Sequence, residues 1–239
     1  MTDEPYRLRS DRMYNLPDFH QMKTVGRFDM PILEPCNAIP DDLIGFNYAK
    51  GMTVEQVTQL GCHFYLDDYQ FERCWRDPIK YGTMLSKFSC VLTPDFSLYM
   101  DMPESMKIWN TYRSRFLGAF WQAHGLNVIP TLQWASPDSF DYCFDGIPNE
   151  SVVSVSTVGV MNDPADMMTW RLGMREALER LRPSCVLLYG MMMPDFNFGN
   201  TNVICYRNHN IEMVRKWEEE AQAQRLAAAV RVAAELSPQ

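Results

Sequence analysis

Five short apolar runs, separated by polar and helix-like stretches, constrain this chain more than any other feature. They lie at residues 62–66, 90–93, 128–132, 152–157 and 185–189. Each is of strand length, and each is bounded by turn formers or acids. The segments between them carry helix signals. Thr53-Val54-Glu55-Gln56 is a capping-box pattern that opens a short helix ending at Gly61. Residues 70–88 read as helical. Trp109, Tyr112, Phe116 and Phe120 follow at i, i+3, i+7 and i+11, one apolar face of a helix that stops near Gly125. Asp163 and Pro164 start another helix, with Met168, Leu172, Leu178 and Leu181 as its apolar stripe. Strands alternating with helices imply βαβ crossovers, because parallel neighbours need a long return path. The expected fold is α/β, a three-layer α/β/α arrangement with a short, mainly parallel sheet of about five strands. A closed eight-stranded barrel would need more strand–helix units. Pro130 removes a ladder donor from the third run, which predicts a bulge or a place near an edge.

The flanks differ in composition. Residues 1–50 are rich in Pro, Asp and aromatics, with Pro31, Pro35 and Pro40 closely spaced, and read as an extended arm packed on the body. Residues 51–206 form the α/β domain. Residues 207–239 hold an Ala-rich helix ending before Ser237-Pro238, which is expected to pack on the body or to pair two chains as a homodimer.

The charge of −8 argues against broad binding to a polyanion, whose affinity comes from Lys and Arg neutralising phosphates. It leaves room for a local groove, since Lys107, Arg113 and Arg115 have no acid between them; a solvated helix face explains those cations equally well. Seven cysteines without zinc-type spacing, and no charged-then-apolar leader, predict a reduced cytoplasmic protein without a structural metal. No run is long enough to span a membrane. P-loop, dinucleotide, nucleophile-elbow and HExxH patterns are missing, so no cofactor is expected.

In parallel α/β sheets, ligands sit beyond the carboxyl ends of the strands. Side chains expected there are Asp67, Asp68, Asp95, Gln133, Trp134, Ser156 and Thr157, with Asp145 in the long loop after the third run. Converging carboxylates suit acid–base work or stabilisation of an oxocarbenium-like sugar, and they also suit Mg²⁺ held through waters. Asp95 follows a proline at a strand end, several residues before the next helix, and is the leading catalytic candidate. Asp67 and Asp68 are candidates too, although either could simply cap the following helix. Asp145-Gly146 is equally a turn signal. Aromatics cluster near the same edge, among them Tyr69, Phe96 and Trp134. Aromatic walls beside carboxylates fit a flat ligand such as a nucleobase, although half of such rings would serve as core.

Several of these segments resemble a known family. Tyr69-Gln70-Phe71-Glu72-Arg73, Thr93-Pro94-Asp95-Phe96-Ser97-Leu98-Tyr99, Met102-Pro103, Trp109-Asn110-Thr111-Tyr112-Arg113-Ser114-Arg115 and Phe144-Asp145-Gly146 resemble a bacterial and phage family catalogued as domain of unknown function 4417. The resemblance covers residues 45–195. It implies a phage or mobile-element context in nucleic-acid replication or defence, and it carries no assigned chemistry. A three-layer α/β domain is also the architecture of the uracil-DNA glycosylase superfamily, a likeness at fold level only. The chain lacks that superfamily's Gly-Gln-Asp-Pro-Tyr motif.

These readings together predict an enzyme acting on a nucleobase. Its most concrete form is a DNA N-glycosylase that flips an ordinary or modified base and hydrolyses its glycosidic bond. Asp95 would activate water or stabilise the sugar cation, with help from Asp67 or Asp68. Phe96 and Trp134, with Tyr69 and Ser97 nearby, would line the base site. Asn110 would read the base edge, and Arg113 and Arg115 would hold phosphates. A non-catalytic nucleotide- or protein-binding module is the alternative, and a Mg²⁺-dependent phosphoesterase or nuclease is a third.

Overall fold

A computed structural model describes residues 14–208. The expected C-terminal helix and dimer contact, and the first residues of the expected N-terminal arm, lie outside the described residues. A two-stranded antiparallel hairpin, β1 (Thr24–Val25) and β2 (Met30–Pro31), precedes the main sheet. The sheet has a four-stranded stretch of β3 (Asp42–Gly45), β4 (Leu60–His63), β5 (Cys90–Leu92) and β6 (Val128–Ile129). A three-stranded stretch follows, made of β7 (Val152–Ser156), β8 (Cys185–Tyr189) and β9 (Asn202–Tyr206). All pairs within both stretches are parallel. Each of the five apolar runs supplies one strand; β3 and β9 are additional.

The helices are α1 (Phe46–Ala49), α2 (Val54–Val57), α3 (Asp68–Arg76), α4 (Pro78–Leu85), α5 (Glu104–Ala123) and α6 (Pro164–Leu181). The capping box of α2 forms, with the Thr53 amide donating to Gln56 Oε1 at 2.8 Å. The helical stretch expected at 70–88 is two helices. Asp77 breaks it by accepting from the Lys80 amide, and Pro78 opens the second helix. Asp163 caps α6 through the Ala165 amide, as its Asp-Pro start predicts. The apolar stripe of α6 departs from the predicted one in its first half only, since Leu178 and Leu181 meet the core. Met168 and Leu172 are exposed, whereas Trp170, Gly173, Met174, Ala177 and Leu181 face the core.

Pro130 explains why the ladder narrows in the middle. Alternate residues of a central strand serve alternate neighbours. Toward β5 the pairing continues past β6 through hydroxyls: the Thr131 amide donates to Thr93 Oγ1 at 2.8 Å, and Thr131 Oγ1 donates to the Thr93 carbonyl at 2.7 Å. Toward β7, Pro130 has no N–H to give. Contact reduces to a bridge between Thr131 and Ser154, flanked by bonds from the Ser154 amide to the Pro130 carbonyl and from the Leu132 amide to the Ser154 carbonyl. The proline sits inside the sheet at the junction of its two stretches, instead of near an outer edge.

The fold class is α/β, with helices packed against a parallel sheet. Helices α3–α5 pack on β4–β6 through Phe71, Trp75, Leu85, Phe116, Phe120 and Trp121. Helix α6 packs on β7 and β8 through Trp170, Met174, Ala177 and Leu181. The sheet curls strongly. Adjacent strands are about 4.8 Å apart, so β4 and β8 would lie roughly 19 Å apart in a flat sheet. Yet the His63 and Tyr189 rings are 4.2 Å apart. The Tyr206 hydroxyl at the end of β9 donates to the Pro40 carbonyl just before β3, at 2.7 Å. The concave face therefore closes on itself around Leu43, Cys90, Leu92, Ile129, Val152, Leu187 and Tyr189, with no helix between. All seven cysteines are free thiols, and all except Cys205 are buried, as small core residues.

Candidate functional site

Because every strand of the curled sheet runs the same way, all carboxyl ends open on one side. Asp95 lies three residues beyond β5, Gln133 four beyond β6, Tyr65 two beyond β4, and Asp68 at the first turn of α3. Curling brings them together. Gln133 Nε2 donates to Asp95 Oδ1 at 3.2 Å and to the Phe96 carbonyl at 2.7 Å. Tyr65 Oη and Ser154 Oγ are 2.6 Å apart. Tyr65, His63 and Tyr189 stack, the two tyrosine rings at 5.2 Å and 17°. The Tyr65 amide donates to His63 Nδ1, which leaves a neutral imidazole its proton on Nε2.

Asp95 is electrostatically distinct. Its carboxyl is raised from 3.8 to about 7, first by burial and then by the charge of Asp68, with the Gln133 amide partly offsetting both. Burial, and then the Asp95 charge, hold the Tyr65 phenol well above its ordinary range. A carboxyl poised near neutral pH is suited to proton transfer.

A second layer fixes this group. Asp68 accepts from the Ser97 amide and from Ser97 Oγ, the latter at 2.8 Å. Asn110 Nδ2 donates to the Ser97 carbonyl at 2.7 Å. Arg113 donates to Asn110 Oδ1 at 2.6 Å and to Glu72 Oε2 at 2.8 Å. Its guanidinium lies 3.8 Å from the Phe96 ring centre. This relay ties α3, the loop after β5 and α5 into one support for Asp95.

The structure therefore sorts the predicted residues. Asp68, Asp95 and Ser97 come together. Tyr69 stands beside Asp68 with 77% of its surface exposed, and Tyr99 is likewise exposed two residues past Ser97. Asp67 is an exposed helix-cap residue whose carbonyl accepts from the Gln70 amide.

Several roles need correction. Phe96 is fully buried between Phe71 and Arg113, so no face is left for a base. Asn110 spends its amide on Ser97 and Arg113. Arg113 and Arg115 are buried and cannot reach phosphates; a guanidinium three turns into a packed helix is taken up by internal acceptors. Arg115 donates to the Asp145 carbonyl at 3.0 Å and the Cys143 carbonyl at 2.6 Å. Trp134 donates to the Thr169 carbonyl and lies so close over Gly173 of α6 that a Cβ would not fit. The Asp145-Gly146 turn seats the hairpin. Gly146 has φ +78°, its carbonyl accepts from the Leu33 amide, and the Pro31 carbonyl crowds it. Asp145 lies against Gly26 of the hairpin turn.

Sequence reasoning places Tyr65 only among the aromatics near this edge and misses His63, Tyr189 and Ser154. Their signal was weak, because each sits within an apolar run that reads as core. A groove of about 970 Å³ lies at the opposite, amino end of β6, lined by Glu34, Cys36, Asn37, Gln122, His124 and Asn127, among others. It contains none of the predicted site residues.

The chain matches the family model "Domain of unknown function (DUF4417)" over residues 22–207. The chain belongs to this family. The Gene 1 protein of Mycobacterium phage D29 is 40% identical over 165 residues, which are 69% of this chain and 61% of that protein. The Gene 1 protein of Mycobacterium phage L5 is likewise 40% identical over 165 residues, covering 72% of its length. The chain thus spans less than two thirds of the D29 relative. No solved structure matches. The phage association of this DUF4417 member is shown by these relatives, and their names state no activity. Among its described residues no helix is long and apolar enough to cross a membrane.

Proposed function

We propose that this protein hydrolyses the N-glycosidic bond of a nucleobase, most concretely as a DNA N-glycosylase in a phage or phage-defence setting. The observation that carries the reading is Asp95, a carboxyl titrating near 7 at the carboxyl end of a parallel sheet, within the field of Asp68 and hydrogen-bonded by Gln133. In its ionised form Asp95 takes a proton from the attacking water, and Asp68 stabilises the cationic sugar. Tyr69 and Tyr99, the exposed rings beside the Asp68–Ser97 bond, replace Phe96 and Trp134 as stacking surfaces. Extrusion of the base from a duplex reaches such a recessed site at the cost of unstacking.

The test uses the purified chain with ordinary DNA and with phage DNA carrying modified bases, with and without EDTA. Mass spectrometry reads released bases, and alkaline cleavage reads abasic sites. Free base in the presence of EDTA is the expected result. Intact DNA without free base would refute the reading.

The Asp68 charge raises the Asp95 carboxyl, so Asp68→Asn lowers the pH at which Asp95 ionises. With Asp95 as base, the rising limb of kcat/KM against pH is expected to move to lower pH in this variant, alongside a loss of rate. A limb that stays in place would separate Asp68 from Asp95.

A further inference from the structure

Gln133 is more than nine-tenths buried, and both hydrogens of its amide are committed. Nε2 serves the Phe96 carbonyl and Asp95 Oδ1. A carbonyl can only accept, so the Phe96 bond fixes which end of the amide is nitrogen. The amide oxygen, Oε1, then has no hydrogen-bond partner among the described residues. A buried acceptor left unpaired is costly, and such an atom in a folded protein calls for an explanation. Here it belongs to the side chain that holds the candidate base.

We infer that Gln133 is the positioning residue for the nucleophilic water, which donates one hydrogen to Gln133 Oε1 and the other to Asp95. This inference rests on the glycosidase reading above. A water molecule has two hydrogens, and the Gln133–Asp95 pair offers two acceptors on side chains joined by a hydrogen bond of 3.2 Å. The Gln133 amide occupies Asp95 Oδ1, so the proton leaves to Oδ2. With both hydrogens engaged, a lone pair of the water oxygen faces the sugar. The new bond joins that oxygen to the anomeric carbon. The bond to the base nitrogen breaks with its electron pair, and the departing base takes a proton from solvent. Sugar hemiacetal and free base result. The role differs from holding Asp95 alone, which needs only the nitrogen end of the amide. The exposed Tyr69 and Tyr99 rings deal with the base, whereas an oxygen as enclosed as Oε1 suits a reactant the size of water.

The experiment compares wild type with Gln133→Met and Gln133→Asn on whichever DNA releases base, in buffer containing methanol. Methanol has one hydroxyl hydrogen and cannot engage both acceptors. Wild type is expected to favour hydrolysis, giving an abasic sugar and little methyl glycoside by mass spectrometry. Gln133→Met removes the acceptor oxygen and Gln133→Asn retracts it by one methylene. Each is expected to lower kcat by roughly a hundredfold, with KM changed by less than about threefold, and to shift the products toward the methyl glycoside. The asparagine variant keeps an amide and serves where the methionine variant does not fold. Base release with an unchanged product ratio in a folded variant would overturn the inference and leave the glycosidase reading intact. A rise in KM at constant kcat would assign Oε1 to ligand recognition and also overturn it. Failure of wild type to release base would remove both.

Discussion

Asp95→Asn is expected to abolish base release and, above neutral pH, to make the protein more stable. Loss of a positioned acid–base group costs about a hundred- to ten-thousandfold in rate. The stability effect follows from the direction of the shift. The folded chain holds the Asp95 carboxyl at about 7, well above the 3.8 of an unperturbed one, so it binds the proton more tightly folded than unfolded. Wild-type stability therefore falls as pH rises through this window and levels off above it. At 1.36 kcal/mol per pH unit the full penalty is at most roughly 4 kcal/mol. Asparagine carries no such charge. Melting curves of the two proteins are expected to coincide below about pH 4 and to separate progressively up to about pH 8, with the variant higher by several degrees there. A difference independent of pH would show that Asp95 is not perturbed. Unchanged turnover would remove it from the chemistry.

Arg115→Ala is expected to act in the opposite sense, on the fold and not on ligand affinity. The guanidinium is fully buried; it donates to the Asp145 and Cys143 carbonyls and fixes the turn on which Leu33 and the hairpin dock. Burial lowers its titration to about 10, still far above working pH, so it stays charged. Truncation leaves the buried Cys143 carbonyl and the half-buried Asp145 carbonyl without this partner, and a cavity beside α5. The expected loss is about 3 kcal/mol or more, or roughly 6–12 °C in melting temperature for a domain of this size. Arg115→Lys keeps the charge but not the two-pronged geometry and is expected to recover only part of the loss. A melting temperature within a degree of wild type, together with weakened binding to DNA, would restore the phosphate-binding role that the structure withdraws.

What was legible follows from what local physics controls. The cores of all five predicted strands were visible because each run is apolar at consecutive positions, as strands buried on both faces require. The capping box at Thr53 and the Asp-Pro start of α6 were visible because caps act over three residues. The break at Asp77-Pro78 carried the same signal within a longer helical pattern. The first half of the α6 stripe was misread, whereas Leu178 and Leu181 face the core as expected. The helix's buried face rests on Gly173, whose part is to admit the Trp134 ring, and a glycine adds nothing to an apolar pattern.

The candidate site divides along the same line. Asp95, Asp68 and Gln133 were recognisable from the sequence alone, because each polar residue sits at or just beyond a strand's carboxyl end, and parallel strands bring such ends to one side. Only the tertiary structure decided which side chains face the opening. Phe96 turns inward onto Arg113, Trp134 turns onto α6, and Arg115 is spent on a turn thirty residues away. The curl of the sheet was likewise absent from local sequence, although it alone brings Tyr65 to Ser154 and His63 to Tyr189. Local sequence determined where strands and helices begin and end, because propensity and capping act within a few residues. Curvature arose from packing between strands distant in the chain, and it set which acids meet and how strongly they are buried.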